Sequence, residues 1–303
     1  MGIIKNSIVL EKVLRTNFMK SFDNGENPAD VMPMIMETKS TSNKEDYGWL
    51  GSVPQLTEWV DSRKLSGILD FDYQIKNKHY EATLQVDRDD IEDDNYGQIN
   101  VRINDLAGRA KTHPRKLFFD LLKIGETEKC YDGKPFFSTT HKYSSKSIAQ
   151  SNLHTGTKAG TIPTVVELSA DFIALRAKVR KLVDEHGEPI NEGELKLHVV
   201  ASPDLEGVLD KLFSAELINN ETNTLKGAAT YMTSGRLTGA NWYVAVTNGT
   251  VKPFIKQVRQ EPRFDALEGK SEAGFMYKKY KYGIDYRVGF GYGLWEKAFK
   301  CKY

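Results

Sequence analysis

Cysteine is nearly missing from this chain: Cys130 and Cys301 are the only two in 303 residues. Two thiols cannot build a disulfide framework at this length, and no Cys/His spacing of the metal-binding kind occurs. The histidines, His79, His113, His141, His154, His186 and His198, include no i, i+4 pair for a metal. No apolar run approaches the ~18 residues needed to span a bilayer. Met1 to Leu10 lacks the long apolar core and small-residue cleavage site of a signal peptide. Charge of one sign is lacking too. With 42 basic residues against 41 acidic ones, the chain as a whole has no pull toward nucleic acid or anionic lipid. These absences point to a soluble protein with reduced thiols, made in the cytoplasm and without a membrane partner.

Catalytic signatures are equally scarce. There is no Gly-x-Ser-x-Gly elbow, and neither cysteine has a histidine beside it in sequence. Gly289-x-Gly291-x-Gly293 lies too near the C-terminus to leave room for the helix and second strand of a dinucleotide site. Asp87 to Asp94 is rich in carboxylates, but an EF-hand register fails. Ile91 falls on a ligand position counting from Asp87, and Asn95 replaces the turn glycine counting from Asp90. A solvated helix start explains the acids better, since they complement the macrodipole. Trp49, Trp59, Trp242 and Trp295 read as core or interface anchors. The expectation is no enzyme: no catalytic, cofactor-binding or metal-binding residue is assigned, and no cofactor.

What is present is patterning. The hydrophobic share of 40% and charged share of 27% are ordinary for a globular protein. Residues 3 to 22 form an amphipathic helix carrying Ile4, Ile8, Leu14, Phe18 and Phe22, broken by Asn24-Gly25-Glu26-Asn27-Pro28. Leu69, Phe71, Tyr73 and Ile75 alternate with polar residues, as do Tyr80, Ala82, Leu84 and Val86, which reads as a β-hairpin. Its turn is at Lys76-Asn77-Lys78, where Asn accepts positive φ, or at Ser66-Gly67.

A helix follows Asp89 to Asp94 with Ile103, Leu106, Ala107 and Ala110 inward, and Leu117, Phe118, Leu121 and Leu122 resume its apolar face. A break or kink is expected between them at Pro114. Residues 138 to 164, rich in Ser, Thr, Lys and Gly, read as a long exposed loop. Ser169 is the expected cap of a helix bearing Phe172, Leu175, Val179, Leu182 and Val183 and ending at His186-Gly187. Leu195 to Ala201 and Trp242 to Val246 read as strands, and Pro203 to Leu217 as a helix with Leu205, Leu209 and Leu212 inward.

Near the end, Tyr280, Tyr282, Ile284, Tyr286, Val288, Phe290, Tyr292 and Leu294 occupy every second position. Period two over that length means a strand with one apolar face, bent or bulged near the glycines at 289, 291 and 293. From Asp61 to Asp94 ten acids oppose five bases, whereas from Lys270 to Tyr303 eight bases oppose three acids. If the two segments meet across subunits, their charges are complementary.

Five blocks carry a family resemblance: Tyr47-Gly48-Trp49-Leu50-Gly51, Glu58-Trp59-Val60, Ile75-Lys76-Asn77-Lys78 with Val86 to Asp94, Cys130 to Phe137, and Gly291-Tyr292-Gly293-Leu294-Trp295. In this order and spacing the chain resembles the major head subunit (major capsid protein) of Mu-like tailed phages. The resemblance implies an α+β, Hong Kong 97-type capsid fold. Its parts would be an N-terminal arm and entry at 1–55, an extended β-hairpin loop at 56–88, and a peripheral domain with a spine helix and long exposed loop at 89–194. An axial domain at 195–248 and a return to the peripheral domain with the aromatic sheet at 249–303 would complete it.

It further implies self-assembly into pentamers and hexamers of an icosahedral head shell, localised to the virion and made in the host bacterial cytoplasm. Portal, scaffold, maturation protease and packaged double-stranded DNA would be its partners. Two other readings stay open at this point. One is a nanocompartment shell of the same fold enclosing protein cargo. The other is a monomeric single-stranded nucleic-acid-binding protein using the aromatic and basic C-terminal sheet.

Overall fold

The computed structural model describes residues 7–25, 29–50, 72–87, 89–90, 96–143, 147–184, 186–267 and 279–303. Residues 51–71, where the alternative turn at Ser66-Gly67 is expected, and residues 91–95, with the acids Glu92, Asp93 and Asp94, lie outside the described residues.

Helix α1 spans Ser7–Asn24. It lies at the surface, and its apolar side docks within the same chain. Leu14 and Phe18 are fully buried, and the Phe18 ring sits 5.1 Å from that of Phe264. Polar contacts fix the same face: Asn17 Nδ2 donates to Asn100 Oδ1 at 3.0 Å, and Ser21 Oγ to Asn104 Oδ1 at 2.7 Å.

A four-stranded sheet is built from β1 (Ile35–Lys39), β4 (Lys78–Asp87), β11 (Phe254–Leu267) and β12 (Lys279–Tyr292), in the order β1-β11-β12-β4. The period-two pattern of β12 is borne out, with Tyr280, Tyr282, Ile284, Tyr286, Val288 and Tyr292 buried; Phe290 is only partly so. Across the ladder Tyr282 faces Leu84, Ile284 faces Ala82 and Tyr286 faces Tyr80. The residues from Tyr80 to Val86 therefore form the expected strand.

Its partner differs from expectation. β4 pairs with β12, while β3 (Gln74–Lys76) pairs with β2 (Lys44–Asp46) in a small separate sheet. Lys76-Asn77-Lys78 is no hairpin turn. Among the described residues, positive φ outside glycine occurs at Asn219 and Asn220, not at Asn77. The Asn77 side chain is buried, donating to Ser40 Oγ (2.8 Å) and Ser42 O (2.9 Å) and accepting from Gln257 Nε2 (2.9 Å). Those bonds hold the backbone straight between two different sheets.

The glycines near the end of β12 also act otherwise than expected. The register shifts lie on β11, between Val258 and Gln260 and between Gln260 and Arg263. Gly289 and Gly291 instead admit β3: a Cβ on Gly291 would stand 2.4 Å from Ile75 Cδ1, and one on Gly293 would stand 2.2 Å from Lys252 O. Close approach, and not curvature, demands them.

Helix α2 spans Tyr96–Lys123, 28 residues or about 42 Å at ~1.5 Å per residue. The expected break at Pro114 does not occur, and helix runs through it. An internal proline costs ~3 kcal/mol. Burial on both sides outweighs this, with Ile99, Ile103 and Ala107 before it and Phe118, Phe119 and Leu122 after.

The second sheet has the order β5-β13-β10-β6-β9, from β5 (Leu153–Thr155), β6 (Leu197–Ala201), β9 (Thr230–Thr233), β10 (Trp242–Val246) and β13 (Ala298–Lys302). β6 and β10 are buried at every residue, as continuous apolar runs should be. Helix α3 spans Val165–Arg180 and packs Phe172 against Phe213 of α4 (Glu206–Phe213), ring centroids 5.0 Å apart.

Two sequence expectations for α3 are corrected. Thr164, not Ser169, is the cap: its side chain accepts from Glu167 N while Glu167 Oε2 accepts from Thr164 N at 2.7 Å. Ser169 lies inside the helix, bonded back to Val166 O at 2.8 Å. The helix also ends at Arg180, and beyond it Asp184 Oδ1 accepts from His186 N and Glu188 N to close a separate turn through Gly187, at positive φ.

Candidate functional site

The segment expected to be a long exposed loop is exposed over most of 155–164, but its earlier part is pinned to the core. Within 138–164, Ser138, His141, Tyr143 and Asn152 are buried, and Leu153 begins β5. Asn152 is the central tie. Its Nδ2 donates to Phe136 O at 2.6 Å and Ala298 O at 3.0 Å, and its Oδ1 accepts from Ser138 N at 2.8 Å. Small polar residues filled this segment because their side chains replace a missing backbone ladder.

Around Asn152 lies a buried polar cluster. Cys130 Sγ donates to Asp132 Oδ1 at 3.1 Å, and His141 Nδ1 lies 2.7 Å from Asp132 Oδ2. The other ring nitrogen, His141 Nε2, faces Asn152 Oδ1 at 3.2 Å. The imidazole stacks on Trp295, centroids 4.1 Å apart with planes 3° from parallel. One residue on, Glu296 Oε1 accepts from Tyr131 Oη (2.7 Å) and Tyr143 Oη (2.5 Å), while its Oε2 is buried with no partner.

The electrostatics follow from burial. Desolvation pushes the Glu296 carboxyl above its ordinary value, against the two tyrosine hydroxyls and His141, which act to lower it. Burial pushes the Cys130 thiol up, and the neighbouring Asp132 pushes it further. Burial also opposes the charge on Asp132, but the hydrogen bond and charge of His141, with Lys134 N, bring that carboxyl below its usual range. Burial pushes Cys301 up to about 12, with Asp171 adding to it.

Cys130, Asp132 and His141 place one ligand atom each within 4.8 Å of one another. Sequence spacing gave no sign of this set, which the fold assembles from a turn and a returning loop. The chemistry is nevertheless that of a structural tie. His141 is bonded to the carboxylate and not to the sulfur, so it cannot draw a proton from the thiol. Every donor of the three is committed to a neighbour inside the cluster or to Asn152. A reactive cysteine needs an electropositive, partly exposed setting, which is the reverse of this one.

The other sequence candidates fall as follows. Trp242 and Trp295 are fully buried, as anchors should be. Trp59 and the side chain of Trp49 lie outside the described residues. The acidic and basic segments meet within a single chain, because β4 lies beside β12. Lys279 Nζ is 3.9 Å from Asp87 Oδ1. One pair of the charges that would be complementary across subunits is thus met inside one.

The surface carries an open, largely polar hollow of about 650 Å³ lined by Lys123, Arg236, Thr238, Asn241 and Tyr243, and two smaller apolar grooves. One of about 240 Å³ runs between α2 and the first sheet, lined by Phe22, Ala110, Pro114, Val258, Tyr286 and Val288. A second of about 170 Å³ lies across Tyr80, Ala82, Leu106, Ala110, Ile284 and Tyr286. Such grooves suit side chains of another protein better than a polar substrate.

Comparison with known proteins agrees. A family profile described as Mu-like prophage major head subunit gpT matches residues 9–166 and 229–303. The chain is 38% identical over 132 residues to the major capsid protein of Escherichia phage Mu, a match spanning 43% of each chain. It is 27% identical over 297 residues to the Mu-like prophage FluMu major head subunit of Haemophilus influenzae, covering 97% of this chain and 73% of that one. The procapsid of bacteriophage JBD30 contains a subunit with 25% identity and a TM-score of 0.58, covering 97% of this chain and 75% of that one. The α+β architecture is therefore the expected Hong Kong 97-type capsid fold. With the profile matching well over half its length, the chain belongs to the family of Mu-like prophage major head subunits and is a structural protein of the phage head.

Proposed function

We propose that many copies of this chain associate as pentamers and hexamers into an icosahedral head shell that encloses double-stranded DNA. The observation that carries the reading is the family match in two separated blocks, on a fold that follows a procapsid subunit over nearly the whole chain. Assembly of this kind needs no catalytic step. Its driving force is apolar area buried between subunits, and the shallow apolar grooves along α2 are surfaces of the required kind.

The division of labour within the chain is read the same way. Residues 1–55 serve as arm and entry, 56–88 as the extended loop over an adjacent subunit, and 89–194 as the peripheral domain with α2 as its spine. Residues 195–248 form the axial domain, and 249–303 return to the peripheral sheet. In support, 195–248 supplies β6, β9 and β10, while β5 and β13 complete that sheet from outside those bounds. A portal, a scaffold and a maturation protease are the partners such a shell calls for.

The single-strand-binding alternative loses its platform, because Tyr280, Tyr282, Tyr286 and Tyr292 are buried and offer no faces for bases to stack on. Electron microscopy of the expressed protein is the test. Closed shells, tubes or capsomers are expected. A monomer that persists at high concentration and binds single strands in a salt-sensitive way would overturn the reading.

A further inference from the structure

After α4 the chain makes a short hairpin, β7 (Leu217–Ile218) with β8 (Glu221–Thr222), then forms β9 and turns through Ser234 to Asn241. That turn, the last residue of α2 and the start of β10 wall the open hollow of about 650 Å³. The turn is held firmly. Ser234 N donates to Ala201 O at 3.0 Å, and Leu237 N to Ser234 O at 2.9 Å. Gly239 N donates to Asp204 Oδ2 at 3.1 Å, and Gly239 O accepts from Ser202 Oγ at 2.6 Å. Leu237 is buried, while Arg236 and Thr238 on either side of it are exposed.

Every polar side chain lining the hollow carries a donor, and no carboxylate lines it. Lys123 and Arg236 make no ion pair among the described residues. Asn241 Oδ1 accepts from Tyr303 N at 3.0 Å, which leaves its Nδ2 hydrogens unclaimed among those residues. Tyr243 is the buried member, only 7% exposed. Its ring lies 5.5 Å from that of Phe137, with Lys300 Nζ 5.3 Å from its centroid. Yet its hydroxyl has no hydrogen-bond partner among the described residues. Buried polar groups are ordinarily bonded, so a bare one beside an open space points to a ligand. Burial, with the charge of Glu126 adding to it, pushes the Tyr243 hydroxyl up to about 12, so it stays protonated and donates.

The surrounding charge has one sign. Lys300 and Lys302 share the carboxylate of Glu126, and Lys116 takes Asp120. With Lys123 and Arg236, five bases thus stand near three acids, Glu126, Asp120 and Asp204. The neighbourhood is positive by two on a chain whose total is only +1. Lys123 also offsets the negative end of α2, which would otherwise repel an anion.

We propose that this hollow is a phosphate seat for duplex DNA, in which Lys123 and Arg236 pair with the backbone and Thr238, Asn241 and Tyr243 donate to its oxygens. The inference rests on the shell reading above and adds to it the patch by which each subunit touches the enclosed DNA. Two features favour a polymer over a free anion. The hollow is open and far wider than one phosphate, so a lone ion there keeps its water, whereas each strand of a duplex brings a charge every ~3.4 Å. The chain as a whole is nearly neutral, so attraction to DNA has to come from a local patch. Contacts of this kind hold the backbone without reading sequence.

The test uses the whole chain and a short DNA duplex, with binding followed by fluorescence anisotropy across a salt series. The parent is expected to bind duplexes of unrelated sequence equally, with log affinity falling linearly in log salt. Lys123→Gln and Arg236→Gln should each weaken binding and lower that slope by ~0.9. Tyr243→Phe, which removes only the hydroxyl, should weaken binding and leave the slope unchanged. All three should keep the parent melting temperature. Lys196→Gln, at the opposite end of the β6–β10 pair, should bind as the parent does. Inorganic phosphate should compete only as any salt does. Lys123→Gln and Arg236→Gln chains that bind as the parent, or an equal loss at Lys196, would overturn the proposal. So would inorganic phosphate that displaces the duplex at concentrations where chloride does not, the mark of a lone-anion site. Lost assembly with duplex binding intact in Arg236→Gln would make the hollow a subunit contact and overturn it too. A parent that forms no capsomers under the electron microscope counts against the shell reading whatever the binding result, so the two failures are distinguishable.

Discussion

Glu296 stands beneath the loop from Ser138 to Asn152 as a buried carboxyl with one oxygen bonded and the other alone. Its folded-state pKa is raised, chiefly by desolvation, so the folded protein holds this proton more tightly than the unfolded chain does. The stabilisation is full below the ordinary carboxylate value of about 4.5 and is lost as pH rises from there through the raised folded value. Asp132 has the opposite sign. Its pKa is lowered, so its contribution is present above about 3.8 and lost as pH falls through the depressed folded value. Glu296→Gln should therefore flatten the decline of melting temperature above pH 4.5. An unchanged pH profile would show that this carboxyl does not govern it. Burial also ranks the aromatic side chains of the C-terminal strand. Tyr282 is fully buried, so Tyr282→Ala is expected to cost ~3–5 kcal/mol by denaturant melts, the range for large core deletions. Phe290→Ala, at a partly buried position, should cost clearly less. Equal losses would place Phe290 in the core after all.

At the scale of elements, α3 shows how a helix start is chosen. Thr164-x-x-Glu167 forms a reciprocal capping box, whereas Ser169, also a residue type that caps well, is held inside the helix. Thr164→Ala should destabilise the chain by about 1 kcal/mol, and Ser169→Ala should change little. Thermal melts of the two variants decide it, and a larger loss at Ser169 would mean the cap is misassigned. Both signals stood in the sequence; the glutamate three residues on separates them. Pro114 shows the limit of local reading, since its penalty is fixed by the residue while the compensating burial of Ile103 and Phe118 comes from other elements.

On the scale of the whole molecule, one large core joins the second sheet to the Phe254–Tyr292 end of the first. A separate cluster with Phe18, Ile103, Phe264 and Tyr282 packs the other end, and strands meet that are far apart in sequence. β1 pairs in parallel with β11, and β13 with β5. β4 and β12 bring the acidic and basic segments together inside one subunit. Asn77 is tied off at the junction of β3 and β4, its side chain bonded to Ser40, Ser42 and Gln257. Covalent crosslinking through Lys76, Asn77 or Lys78 is accordingly not expected. Mature particles boiled in denaturant should run as single chains, and a ladder without added oxidant or engineered cysteine would refute this.

By itself the sequence determined the elements whose pattern is local and long. These are the period-two strand from Tyr280, the apolar runs at Leu197 and Trp242, the helices carrying Phe18 and Phe118, and the five blocks that resemble head subunits. Period and burial are properties of one segment, so they can be read along it. Tertiary structure alone decided which strand pairs with which, the straight path through Asn77, the glycines that admit Ile75, and the gathering of Cys130, Asp132 and His141. Those outcomes depend on groups distant in sequence competing for the same hydrogen bonds and the same space, which no single segment records.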